Sequence, residues 1–245
     1  MSDNKIAILP LGAFEQHGPH LPPETDNIIV EGFIHKLKSL LPEREDIIFL
    51  PTEKIGYSIE HNFSPVTKTL SYEKAIERWI NIGKECSDNN IKKLLCFNAH
   101  GGNSPLLTIV ATELRARYRM LCCVTAWPRF LTENNRPPLR KNIFDIHAGF
   151  YETSLILALQ PEKVNKNALE NFANKQEFFT KNFHYLRAYG PQAFGWMMPD
   201  LNEKGACGDA ASASRETGLE ILNHVSQQIV LLLDDMKNFD LSLLK

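Results

Sequence analysis

Short apolar runs alternate along the chain with longer stretches in which apolar residues recur every three or four positions. Ile6 to Leu9, Ile47 to Leu50, Leu94 to Phe97 and Leu121 to Ala126 are the short runs, and their length and aliphatic content predict buried strands. Between them, Asn27 to Leu41 places Ile29, Phe33, Leu37, Leu40 and Leu41 at helical spacing and stops before Pro42. Ser71 stands where it can cap a helix reaching about Cys86. A third helix is predicted from near Ser104 to Arg119, with Pro105 in its first turn, where the missing N–H costs nothing. Tyr151 to Leu159 reads as a helix ending before Pro161, and a long last helix runs from about Ala210 to Asp235. Alternation of this kind predicts an α/β fold with a mostly parallel sheet covered by helices on both faces. Thr132 to Asn142 and Tyr189 to Asp209 read as loops, neither of which separates two core-sized halves, so residues 1–245 are expected to form one domain.

Composition narrows the classes. The chain has 245 residues, 43% hydrophobic and 23% charged, with a formal net charge of -2. There is no Lys/Arg run to meet a phosphate backbone, which argues against a nucleic-acid partner. No apolar run approaches the ~20 residues of a membrane span. The polar start, Met1 to Lys5, lacks the basic and apolar regions of a secretory signal, and a cytoplasmic location is expected. The five cysteines, an odd number without CxxC spacing, read as reduced thiols, with Cys96 and Cys122 assigned to the core.

Three polar groups fall where loops should leave the carboxyl ends of the strands, the usual ligand side of such sheets. The first is Glu15-Gln16-His17, followed by Asp26. Glu15 and His17 sit two apart and can point the same way. Asp26 alone reads more readily as a helix cap than as a ligand. The second is Asn98-Ala99-His100-Gly101-Gly102-Asn103, where the glycines permit close backbone approach. A phosphate cradle at the following helix start is weak, since the Walker lysine is absent. The third is His147-Ala148-Gly149-Phe150-Tyr151-Glu152, which flanks a helix start. Singly, His147 and Glu152 are explained by a loop hydrogen bond and the helix dipole. Together, Glu15, His17, Asp26, His100 and Glu152 form a set that suits two divalent ions about 3.5–4 Å apart.

The stretch LPLGAFEQHGPHLPPETD resembles the signature of the creatininase family, with Glu15, His17 and Asp26 on its Glu-x-His and following Asp. NAHGGN around His100 and HAGFYETS around Glu152 are similar to two further motifs of that family. Tyr57 to His61, leading to Thr67, resembles another, and Gly208-Asp209 a fifth. The resemblance implies a three-layer α/β/α sandwich, assembled as a homo-oligomer and commonly a hexamer. It also implies a hydrolase that cleaves a C–N bond of a small molecule, such as a cyclic amide or formamide, with metal-activated water. One or two ions of zinc, manganese or iron are implied. Glu15, Asp26 and His100 would hold one, His17 and Asp26 a second, with Asp26 as the bridge. Creatininase itself carries a Glu at the position of Gly102, and many relatives carry one at Phe150. Glu152 is the remaining carboxylate nearby, and is assigned to the second ion. His147 is the candidate proton donor to the leaving nitrogen, because an ordinary pKa of ~6.5 suits the task. Trp127, Pro128 and Phe130, and Phe194 to Met197, are candidates for pocket walls. A non-catalytic binding or assembly protein on the same scaffold is the rival reading.

Overall fold

The computed structural model describes residues 5–131 and 143–244. The predicted loop over 132–142, with Arg136 and Arg140, lies outside the described residues. Four parallel strands, β1 (Ile6–Leu11), β2 (Ile47–Phe49), β3 (Lys93–Asn98) and β4 (Leu121–Ala126), form a sheet in the order β2-β1-β3-β4. The β1–β3 register runs from Ile6 opposite Lys93 to Leu11 opposite Asn98, so the two central strands end level with each other.

Successive strand residues face opposite sides of a sheet, and the core divides accordingly. Ile6, Ile8, Leu95 and Phe97 pack against α1 (Thr25–Leu40), α4 (Phe150–Leu159) and α7 (Arg215–Asn238). Ala7, Leu9, Leu11, Leu94 and Cys96 pack on the other side against α2 (Tyr72–Asp88) and α3 (Ser104–Tyr118). Helices therefore cover both faces, as the alternating pattern predicts. Trp127 is buried and stacks on Phe33 at 6.3 Å, and with Pro128 and Glu152 it also lines a small cavity. Cys96 is buried, whereas Cys122 is only half-buried. Phe194 and Trp196 pack in a satellite cluster with Ala188, Met198, Leu201 and Cys207. Among the described residues, no helix is long and apolar enough to cross a membrane.

Several boundaries differ from the expected ones, each for a local reason. The Ser71 hydroxyl caps α2 as expected, accepting from the Lys74 N–H. Helix α1 begins at Thr25, so Asp26 lies inside the first turn and not at the cap. Helix α7 begins at Arg215, because the Ser214 hydroxyl accepts from the Thr217 N–H at 3.1 Å and sets the start there. Residues Ala210–Ser212 form a separate 3-10 turn capped by Asp209. Within the stretch expected as loop, α6 (Met198–Leu201) forms, and β6 (Gly208–Asp209) pairs with β5 (Asn171–Phe172). A last short helix, α5 (Gln176–Asn182), lies between them in sequence.

A candidate two-ion metal centre

Loops from the ends of β1 and β3 meet the first turns of α1 and α4. Amide side chains tie them together. Asn103 donates to the Gly12 carbonyl at 3.1 Å and accepts from the Tyr57 N–H at 2.9 Å. Asn27 donates to the carbonyls of Ala13 and Lys54. The segment before α4 is fixed by Asp145, which accepts from the Phe150 N–H at 2.7 Å, and by reciprocal backbone bonds between His147 and Cys207. Ala148 takes a left-handed φ of 51°, turning the chain between His147 and the helix.

The five sequence-predicted ligands come together behind this framework, joined by His147. Glu15, His17, Asp26, His100 and His147 are buried, and Glu152 is half-buried. Asp26 uses its two oxygens separately: Oδ1 lies 3.5 Å from His17 Nε2, and Oδ2 lies 3.4 Å from His100 Nδ1. His17 Nε2 is also 3.7 Å from Glu152 Oε2, and His100 Nδ1 is 3.2 Å from Glu15 Oε1. Two donor sets follow, Glu15–Asp26–His100 and His17–Asp26–Glu152, with ligand atoms in each within 4.8 Å of one another.

The ring orientations fit the same use. A carbonyl oxygen only accepts, so a ring nitrogen bonded to one carries the hydrogen. His17 Nδ1 donates to the Glu15 carbonyl at 3.0 Å, His100 Nε2 to the Tyr57 carbonyl at 2.8 Å, and His147 Nε2 to the Gln16 carbonyl at 2.8 Å. Each therefore turns its other nitrogen, with a free lone pair in the neutral ring, toward the carboxylates. Metal-ligating histidines are commonly oriented in this way.

Sequence reasoning assigned no role to Glu60 and His61, which also reach the cluster. They lie on a 3-10 turn, Ile59–His61, and His61 Nε2 stands 3.4 Å from Glu15 Oε1. The only signal was the resemblance of Tyr57 to His61 to a family segment. Turns of this kind have no periodicity to betray a functional face. The rings of His17, His147 and His61 lie in a column, with centroids 4.2 and 4.3 Å apart.

Among the described residues, no Lys or Arg forms an ion pair with Glu15, Asp26, Glu60 or Glu152; their charged partners are histidines. The protonation pattern reflects this crowding. Burial opposes a charge on His17, but Asp26, Glu152 and Glu15 outweigh it and lift the ring to about 9. Burial pushes Glu152 up to about 8. Burial, with His17 and His61 beside it, holds His147 well below its ordinary value. Neither oxygen of Glu15 and neither Asp26 Oδ2 nor His17 Nε2 has a hydrogen-bond partner among the described residues. Buried polar atoms are rarely left so. Orphaned oxygen and nitrogen atoms converging without a structural cation are a donor set that a divalent ion would satisfy.

Known proteins resemble this one along most of its length. The family model for creatinine amidohydrolase matches residues 1–233. A mycofactocin precursor peptide peptidase of Mycolicibacterium smegmatis is 27% identical over 88% of this chain and 79% of its own length. A creatinine amidohydrolase of Pseudomonas putida is 25% identical over 65% of this chain and 66% of its own. A crystal structure of creatinine amidohydrolase superposes with a TM-score of 0.77 at 22% identity, covering 97% of this chain and 92% of that one. The architecture around a parallel sheet and the match over residues 1–233 agree: the chain belongs to the creatininase family.

Proposed function

We propose that the protein is a metal-dependent amidohydrolase that cleaves a C–N bond with water activated at a two-ion site. The observation that carries this reading is Asp26, whose two oxygens serve separate histidines in two donor sets. Glu15, Asp26 and His100 would hold one ion, and His17, Asp26 and Glu152 the other. Glu152 thereby supplies the carboxylate that Gly102 and Phe150 cannot. Mixed imidazole and carboxylate donors suit zinc, manganese or iron; structures of creatininase relatives include Zn–Zn and Mn forms. Bound divalent ions would polarise an amide carbonyl and make water acidic enough to attack near neutral pH.

The chain's own residues supply the rest. His147 presents Nδ1 to the cluster, 3.7 Å from Glu15 Oε1, with Nε2 anchored on Gln16. Held neutral by its surroundings, it accepts a proton from the attacking water at Nδ1 and then delivers it to the leaving nitrogen. His147 thus acts first as base and then as the proton donor expected from the sequence. A backbone N–H at Gly101 or Gly102 would stabilise a developing oxyanion.

A cyclic amide or formamide of small size is the substrate class of the first reading. A peptide is the second, and it is favoured by one observation: several relatives matched are named mycofactocin precursor peptide peptidases. The test is turnover by metal-loaded protein on creatinine, formamides and short peptides, before and after chelation. Chelator-sensitive turnover of one class, read as ring opening for a cyclic amide and as release of amine for a formamide or peptide, selects that reading. Two tightly held ions without turnover on any class would favour the binding-protein alternative.

A further inference from the structure

Two ions in the proposed sets engage Asp26, His17, Glu152, His100 and part of Glu15, leaving Glu60 and His61 unused. Those two do not point away. Ligand atoms of Glu15, Glu60 and His61 lie within 4.8 Å of one another and form a further group of the kind that holds a metal. Glu15 is fully buried; its Oε1 faces both His100 and His61, and its Oε2 has no hydrogen-bond partner among the described residues, so the carboxylate can serve both groups. His61, only 2% exposed, has an Nδ1 without a hydrogen-bond partner among the described residues, and its Nε2 is the nitrogen that faces Glu15. Glu60 adds a fourth carboxylate, half-buried, at the open side of the cluster. The absence of a side chain at Gly102 makes room for it, because a Cβ there would strike the Glu60 carboxylate.

Charge balance points the same way. Four carboxylates, none paired with a Lys or Arg among the described residues, carry up to four negative charges, which two divalent ions only just offset. Any hydroxide drawn into the site restores a surplus of negative charge, and of the remaining donors Glu60 is the half-buried one.

We propose that Glu15, Glu60 and His61 form a third divalent-cation position, weaker than the other two and entered from the open side. The inference rests on the two-ion reading. Its affinity is expected to be at least tenfold lower, because His61 lacks the backbone carbonyl that orients each of the other three rings. An ion there shares Glu15 with the first pair, so filling it draws on a ligand of the catalytic centre and gives excess metal a route to slow the enzyme.

The experiment is a titration of metal-free full-length protein with zinc and, separately, manganese, counting bound ions by equilibrium dialysis and elemental analysis. Three ions per chain are expected for the natural protein, the third at least tenfold weaker. Glu60→Gln is expected to hold two. Anomalous scattering from zinc-soaked crystals should place the third ion against Glu60. Saturation at two ions in the natural protein overturns the proposal, as does a third ion retained in Glu60→Gln or located away from Glu60. Saturation below two ions instead overturns the two-ion reading itself.

Discussion

Nε2 of His147 donates to the carbonyl oxygen of Gln16 at 2.8 Å, so the nitrogen left facing the buried carboxylates is Nδ1. The backbone thus chooses the tautomer. A ring so fixed can take a proton at Nδ1 without moving. His147→Ala is expected to keep its two ions and lose about 10²- to 10⁴-fold in kcat, the usual range for a general base. Full turnover in that variant, with the metal content unchanged, would remove His147 from the mechanism.

Asp26 and Glu152 should differ in what their loss costs. Asp26 belongs to both donor sets, and Glu152 to one. Asp26→Asn is therefore expected to weaken both ions, and Glu152→Gln only one. Elemental analysis after gel filtration should read near zero in the first variant and near one in the second. Equal losses would contradict the bridging assignment.

Metal uptake should be coupled to pH, and the sign follows from His17. Its ring is held at about 9, so at neutral pH Nε2 carries a proton that an ion must displace. Affinity should rise with pH until about 9, by up to about tenfold per pH unit for each proton released. Competition titrations at about pH 6.5 and about pH 8.5, corrected for the chelator's own protonation, measure this. A flat profile would mean that His17 does not have to lose a proton to bind.

Gly218 offers a test of packing that leaves the site alone. It lies in α7 against the Ser154 carbonyl of α4, and a Cβ at that position would collide with the backbone. Alanine normally favours a helix over glycine by about 1 kcal/mol. Here overpacking should win and leave the protein about 2 kcal/mol less stable. That corresponds to a Tm about 4–8 °C lower by calorimetry. An unchanged or higher Tm would show that α4 can shift to make room.

Much of this arrangement is legible in the sequence where the pattern has a physical cause. The buried strands stand out because both faces of β1 and β3 are covered, which leaves continuous apolar runs. The ligands Glu15, His100 and Glu152 stand out because they sit next to strand ends or helix starts whose positions those runs define. Glu60 and His61 do not, since their turn is a single 3-10 turn, closed by the His61 N–H on the Ser58 carbonyl and tied down by the Ser58 N–H donating to Thr69, too short to show a period. The paired β5 and β6 are two residues each, too short to show alternation. Trp127 illustrates a different limit. An aromatic residue after a strand suits a pocket wall and a core equally well, and only the fold shows that Trp127 does both, stacking on Phe33 and lining a small cavity with Glu152.

The acidic and imidazole groups gathered around Asp26 come from positions as distant as residues 15 and 152. Whatever cation neutralises them also fastens the β1 loop, the start of α1, the β3 loop and α4 to one another. Binding to the folded form alone adds stability in proportion to the logarithm of free metal. Chains made under metal starvation would therefore open more often and be degraded sooner. The abundance of this protein in a cell, and not only its activity, should then follow the metal supply.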